Sequence, residues 1–376
     1  MIGSLQPAEP VHGPAPLEDL LGRPPYGLTD EEKARLLLPL VKGQLAHAIA
    51  SNRHIRNFFE RQGIDVASIS RLEDVPPLPV QMFKLFDLAT RPREQIVRVL
   101  KSSGTTSGLP SRVPLDKAAA SNQVRALKAL LADYLGERRR VLLVIDHKGI
   151  NDPTKEITAR TAGVRGLSIY AKKVIYLLKE EDGKLTLDRD ALRQLEGLAG
   201  EDVYAFGFTY IIWSVFYPLI ARESVSFRFR DFRLFHGGGW KKLQDQRVSK
   251  EEFSAKIAGA FGTDPSHILD FYGMAEQTGI IFVDCEQGHK HVPAFAQVIP
   301  RDLQTLKPCG IGEPGLIEVM SVLADSYYCQ AVLTEDIGYL AGVDDCPCGR
   351  KGRYFRFLGR VEQAEVRGCG DTFRER

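Results

Sequence analysis

The chain has 376 residues, 44% of them hydrophobic and 26% charged, with a formal net charge of +2. That size can bury a large core and usually holds more than one structural unit, and the near-neutral balance gives no reason to invoke nucleic acid. Six cysteines in so long a chain do not make a disulfide scaffold, and no run reaches the ~18 apolar residues of a membrane span, so a reduced cytoplasmic setting is expected.

Residues 1–27 carry six prolines and little periodicity, which predicts a loose arm. Thr29 followed by Asp30, Glu31 and Glu32 is a helix start, a capping residue with acids in the first turn. Helical spacing continues through Leu36, Leu37, Leu40, Val41 and Leu45. A second helix is expected from Ile55 to Arg61, and Pro76-Pro77-Leu78-Pro79 closes this leading segment. The apolar run Ile96 to Leu100 then enters Ser102-Ser103-Gly104-Thr105-Thr106-Ser107-Gly108-Leu109-Pro110. Such a loop bares backbone N–H groups and hydroxyls together, a concavity suited to polyphosphate oxygens. It lacks the Gly-Lys-Ser/Thr ending of a Walker loop, and an ordinary polar turn is the alternative.

Beyond the loop, strands and helices alternate. Arg140–Ile145 and Lys173–Leu178 are short β-branched apolar runs, expected of buried strands. Val203–Phe208 reads as a strand and Tyr210 to Ile220 as a helix. The apolar stretch Ala205 to Ile220 is broken by Gly207, Ser214 and Pro218 and is expected to be core. Arg233–His236 is a strand entering Gly237, Gly238 and Gly239. Ser249 starts a helix ending near Gly262, and Ile268–Tyr272 is a strand delivering Glu276. After Gly310 short strands and turns take over. The alternation predicts a layered α/β body.

Three motifs follow the loop in order: Phe271-Tyr272-Gly273-Met274-Ala275-Glu276, Leu333-Thr334-Glu335-Asp336 and Leu358-Gly359-Arg360. The ordered set resembles the acyl-adenylate-forming enzymes, a family that includes acyl-CoA synthetases, luciferases and peptide-synthetase adenylation domains. Their phosphate loop reads Ser-Gly-Thr-Thr-Gly, and here Ser107 is inserted before Gly108. That variant, with Pro77-Leu78-Pro79-Val80-Gln81-Met82-Phe83-Lys84 upstream, resembles the acyl-protein synthetase branch of bacterial bioluminescence, with phenylacetate–CoA ligases as cousins. His236-Gly237-Gly238-Gly239-Trp240-Lys241-Lys242 and Arg367-Gly368-Cys369 strengthen the likeness, which runs from roughly residue 70 to the C-terminus.

The resemblance implies the large layered α/β domain of the family, with its small C-terminal domain absent. The family's adenylation lysine therefore maps onto no residue here. The expected division is an arm and helical leading segment over 1–85, an α/β adenylation core over 86–310, and a β-rich end with a short tail over 311–376. The implied chemistry is ATP-dependent activation of a carboxylic acid, expected to be a fatty acid, as acyl-AMP. Ser102, Ser103, Gly104, Thr105, Thr106, Ser107 and Gly108 would hold phosphates. Glu276 would bind Mg²⁺, Tyr272 beside Gly273 would lie along adenine, Asp336 would grip the ribose hydroxyls, and Arg360 would contact ribose or phosphate. Gly237, Gly238 and Gly239 would bring backbone close to nucleotide or acyl chain, a tight turn being the alternative. Thr106, Glu276 and Cys369 are the expected catalytic residues, Cys369 taking the acyl group as a thioester from a flexible tail where Arg367 favours thiolate.

Cys285, His291, Cys346 and Cys348 supply three thiolates and an imidazole, the ligand set of a closed structural Zn²⁺ site. The fold must bring the two short knots together, and the cousins show a similar pattern. His289 competes with His291, which is preferred for its Val292-Pro293 continuation. Reduced surface thiols are the alternative. The expected acceptor after Cys369 is an acyl-CoA-reductase-like protein, with CoA, a carrier-protein thiol or an amine as alternatives. A non-catalytic nucleotide-binding scaffold is the reading from a different class.

Overall fold

A computed structural model describes residues 15–101, 110–152, 159–240 and 245–361 of the chain. The phosphate loop at 102–108, Lys241-Lys242 and Cys369 lie outside these residues.

The leading segment is helical from its start. α1 (Ala15–Gly22) stands where the prolines predict a loose arm, and Leu20, Leu21 and Tyr26 beyond it are buried. Pro16 falls in the first turn of this helix, where a missing N–H costs nothing, and Pro24 follows its end. α2 (Asp30–Ser51) begins at Thr29, which forms a complete capping box with Glu32, and buries Leu37, Val41, Leu45 and Ala48 along one stripe. α3 (Arg53–Gln62) is capped by the Asn52 side chain and ends at Gly63 in the left-handed region. Then come β1 (Leu78–Pro79), α4 (Met82–Leu85), β2 (Ile96–Lys101) and β3 (Arg112–Asp116). β2 and β3 pair antiparallel and hold the two ends of the 102–109 loop together.

α5 (Lys117–Leu135) leads into β4 (Arg140–His147), α6 (Ala159–Ser168), β5 (Ala171–Glu181), β6 (Lys184–Leu187), α7 (Arg189–Glu196) and β7 (Asp202–Phe208). The helix expected over 210–220 is split: α8 (Thr209–Ile211) and α9 (Tyr217–Arg222) flank a π-helical turn, Ile212–Phe216. β8 (Asp231–Gly237), α10 (Lys250–Phe261), β9 (Ile268–Tyr272) and β10 (Phe282–Val283) complete a seven-stranded sheet of order β10-β9-β8-β7-β4-β5-β6. β4 pairs in parallel with both β5 and β7, so the strand order reverses there. Alternation along the strands sends Leu142, Val144, Tyr204, Phe206 and Phe235 into one core. It sends Val141, Leu143, Val203, Ala205 and Leu234 into another, on the opposite face.

The second sheet has six strands: β11 (Lys290–His291), β15 (Arg353–Arg360), β14 (Val332–Val343), β13 (Gly315–Ser321) and β12 (Ala296–Arg301) in that order, with β1 on β14. It draws β1, β11 and β12 from before residue 310, so the sheets do not divide there. β14 is also longer than the short strands expected after Gly310, at 12 residues. No described helix is long and apolar enough to cross a membrane.

Candidate functional site

The two sheets meet along a seam, and the residues expected to bind nucleotide face each other across it. Tyr272 ends β9 of the seven-stranded sheet. Asp336 and Arg360 are register partners on β14 and β15 of the six-stranded sheet. The Tyr272 hydroxyl donates to Asp336 Oδ2 at 2.8 Å, and Arg360 Nε donates to Asp336 Oδ1 at 3.2 Å. Thr334 Oγ1 accepts from the Asp336 backbone N–H at 3.1 Å, which fixes the irregular stretch of β14 that presents the carboxylate. Burial, and then the adjacent Asp336 carboxylate, hold the Tyr272 hydroxyl well above its ordinary range, so it stays a donor.

The Tyr272 ring is buried and stacks on Phe282 and Phe357, with centroids 6.1 and 5.4 Å away. The expected adenine platform is therefore already covered. The ring left open beside it is Phe357, 39% exposed. Sequence reasoning missed Phe357, although its place three residues before Arg360 on the same strand was a usable signal.

Glu276 sits in a short 3-10 turn, Ala275–Gln277. Gln277 anchors that turn by donating to the carbonyls of Val319 and Cys329, and the Tyr327 hydroxyl donates to the Glu276 carbonyl at 3.1 Å. The carboxyl is buried, which raises its pKa, against the opposing pull of a hydrogen bond from Ser111 and the charges of Lys84 and Arg360. Ser111 comes just after Pro110, where the chain leaves the expected phosphate loop, so Glu276 is tied to the segment that follows that loop. The sequence motifs named neither Ser111 nor the role of Lys84.

Two of the three glycines that end and follow β8 are accounted for by packing. A Cβ on Gly237 would come within 2.8 Å of the Phe271 carbonyl. Gly238 has φ +78°, and a Cβ there would collide with the Phe208 ring. Among the described residues nothing lies within 4 Å of a Cβ placed on Gly239. Ahead of them His236 is buried, its Nδ1 3.0 Å from Thr209 Oγ1. Its Nε2 has no hydrogen-bond partner among the described residues.

The second constellation also converges. Cys285, His291, Cys346 and Cys348 place one ligand atom each within 4.8 Å of all the others. Cys285 Sγ and Cys346 Sγ are 3.8 Å apart, and Cys348 Sγ is 3.2 Å from His291 Nε2. A tetrahedral ion with sulfur ligands at ~2.3 Å separates them by ~3.8 Å, whereas a disulfide would need ~2.05 Å. Donor type, number and spacing all fit a closed Zn²⁺ site. His289 lies outside the group of four, with Nδ1 3.5 Å from Cys346 Sγ and its ring over Tyr354. Between the two histidines, the buried Lys290 ammonium pairs with Asp270 at 2.7 Å and Asp284 at 3.2 Å, a network that sequence reading did not anticipate.

Comparison with known proteins agrees with this arrangement. The chain is 28% identical over 369 residues to the long-chain-fatty-acid–luciferin-component ligase of Vibrio harveyi, covering 94% of this chain and 91% of that one. The Aliivibrio fischeri protein of the same description is 23% identical over 352 residues, covering 90% and 88%. Among solved structures, 2-hydroxyisobutyryl-CoA ligase in its postadenylation state superposes with a TM-score of 0.67 at 16% identity, over 89% of this chain and 69% of that one. That likeness shows the fold to be the one used by adenylate-forming enzymes. The family described as "Acyl-protein synthetase, LuxE" matches residues 14–376, a span that takes in both sheets, the seam residues and the cysteine knots, and the chain belongs to the acyl-protein synthetase family.

Proposed function

We propose that this protein activates a long-chain fatty acid with ATP as acyl-AMP and then passes the acyl group to a thiol. The observation that carries the reading is the meeting of Tyr272, Asp336 and Arg360 across the seam, beside Glu276. Asp336 has each carboxylate oxygen engaged once by the protein. A carboxylate has about four lone-pair sites, so each oxygen keeps one for a ribose hydroxyl, and the pair fits a vicinal diol. The base lies against the open Phe357 ring and the edge of Tyr272.

In the first step a carboxylate oxygen of the acid attacks the α-phosphorus of ATP, and pyrophosphate leaves. Ser102, Ser103, Thr105 and Thr106 hold the phosphates. Glu276 would hold Mg²⁺, which when bound would supply positive charge to the phosphate oxygens. Burial of the Glu276 carboxyl suits that role, since the cation restores the charge that desolvation disfavours. In the second step the Cys369 thiolate attacks the acyl carbonyl carbon, the thioester forms and AMP leaves. The acyl group then goes to a partner such as an acyl-CoA-reductase-like protein. Zn²⁺ in the site of Cys285, His291, Cys346 and Cys348 is structural, because four protein ligands leave no open position.

Acid-dependent exchange of pyrophosphate into ATP, run over fatty acids of increasing length, tests the first step. Exchange that is strongest with long chains and is lost in Glu276→Gln is expected, and absence of exchange with every acid would sink the reading. Hydroxylamine-sensitive labelling from radiolabelled acid tests the second. Label is expected on the wild type and not on Cys369→Ser, which still makes acyl-AMP. Equal labelling of the variant would move the acceptor elsewhere, to CoA or a carrier thiol.

A further inference from the structure

The cysteine–histidine cluster and the nucleotide residues lie on the same seam. β10 is the edge of the seven-stranded sheet and β11 the edge of the six-stranded sheet. The chain passes between them in a tight hairpin: Asp284 bridges Lys290, and Cys285 N–H donates to the His289 carbonyl at 2.8 Å. That hairpin supplies Cys285 and His291. The other two ligands, Cys346 and Cys348, come from the turn between β14 and β15. One ion bound there would therefore tie the crossing hairpin to the far sheet.

A packed path leads from this cluster to the nucleotide residues. His291 stacks on Tyr354, with centroids 5.3 Å apart. The next residue on β15, Phe355, packs edge-on against Phe282 at 5.3 Å and Tyr272 at 6.1 Å. Tyr272 then makes its bond to Asp336. Lys290 adds a second tie, since it stands on β11 and pairs with Asp270 two residues before Tyr272 on β9. The two sets of ring contacts are joined through the β15 backbone between Tyr354 and Phe355, so a shift of this strand at the cluster is felt at Tyr272.

From this geometry we infer that the metal cluster is the clamp of the seam: its occupancy fixes the position of Tyr272 against Asp336 and so sets nucleotide affinity. Lys290 is a positioning residue in the same clamp. The inference rests on the zinc and nucleotide-site readings above and goes beyond both, because a merely local zinc knot would leave nucleotide binding unchanged.

The test uses the full chain. Elemental analysis first establishes the metal, expected at about one zinc per chain. The metal is then withdrawn with a chelator while circular dichroism follows the fold. ATP binding is measured by calorimetry, and hydrogen exchange is read over 282–291, 343–355 and Tyr272. The depleted chain is expected to stay folded, to exchange faster along the whole seam, and to bind ATP roughly tenfold more weakly, with recovery on adding zinc. Reciprocity requires ATP to tighten zinc retention by the same factor. Lys290→Met should keep its zinc and still weaken ATP binding.

A folded, depleted chain that binds ATP within about twofold of the loaded chain overturns the clamp. Unfolding of the whole chain on depletion also overturns it, since the metal would then support the entire body. Absence of metal from the purified and zinc-incubated chain removes the zinc reading and the clamp with it. A zinc-loaded chain that binds no ATP instead removes the nucleotide-site reading.

Discussion

Asp336 is the residue on which the proposed nucleotide site turns, because its carboxylate joins the Tyr272 hydroxyl of one sheet to the Arg360 guanidinium of the other. Asp336→Asn replaces one acceptor oxygen with a donor that faces the Tyr272 hydroxyl or the Arg360 guanidinium. Pyrophosphate exchange is expected to fall by on the order of a hundredfold, with thermal stability nearly kept. Tyr272→Phe leaves the carboxylate with Arg360 and should cost less, and Phe357→Ala should raise the KM for ATP with little change in kcat. His236 makes a separate statement about pH. Burial, against the nearby Asp270 charge and aided by Lys290 and Lys250, pushes its imidazole down from 6.5 to about 4. The neutral form is thus favoured in the fold, and its stabilising contribution is complete above pH 6.5 and lost as pH falls through about 4. Urea unfolding across that window should show a loss on the order of 2–3 kcal/mol that is flattened in His236→Gln. Much at this scale was legible: Tyr272, Asp336 and Arg360 were named from short motifs that do lie together. Their mutual hydrogen bonds were not, since nothing in a strand's sequence says which strand of another sheet it will face. Phe357 escaped because an aromatic in a strand reads as core until its exposure is seen.

At the scale of elements, the glycines after β8 illustrate how a motif can carry packing and chemistry together. Gly238→Ala would strain a positive φ and drive a methyl into the Phe208 ring. A loss of about 2–3 kcal/mol is expected in denaturant unfolding, whereas Gly239→Ala, which meets no described residue, should cost only the strain of its own positive φ. The helix of the capping box is easier to read. Thr29→Ala should cost about 1 kcal/mol, measured the same way. Such elements were legible because their signals are local: a cap with acids behind it, or a β-branched run bounded by turns. The same locality explains the misses. The prolines of 1–27 suggest a loose arm, yet Pro16 falls in the first turn of α1 and Pro24 beyond its end, positions a helix tolerates. The π turn in 212–216 has no signature in a hydrophobic pattern. The convergence of the two cysteine knots depended on β10 to β11 and β14 to β15 arriving at one place, which ligand chemistry can suggest and only topology can deliver.

For the molecule as a whole, the leading helices and the last strands are one structure. Arg353 on β15 pairs with Asp30 at the start of α2 and with Glu73, and it is largely buried between them. Arg353→Met would take this cation from Glu73 and leave Asp30 to Lys33, 3.8 Å away, and a loss of about 3 kcal/mol is expected in denaturant unfolding. Nearby, the buried Lys33 ammonium reaches Gln297 on β12 at 3.1 Å. The layered α/β class was readable from alternation, but this closure of the chain on itself was not, because the partners are hundreds of residues apart.

The pairing of β1 with β14, Leu78 against Val332 and Pro79 against Leu333, has a consequence for how the protein is made. Synthesis runs from the N-terminus, so the edge of β1 leaves the ribosome long before the strand it pairs with exists. The seven-stranded sheet can assemble while the chain is still growing, but the six-stranded sheet closes only after β15 emerges. At ~5–20 residues per second, the interval between residue 79 and residue 333 is on the order of ten seconds to a minute. During that time the first-made segment is an exposed client for holdase chaperones, and slowing elongation in a cell-free system should lengthen its sensitivity to protease.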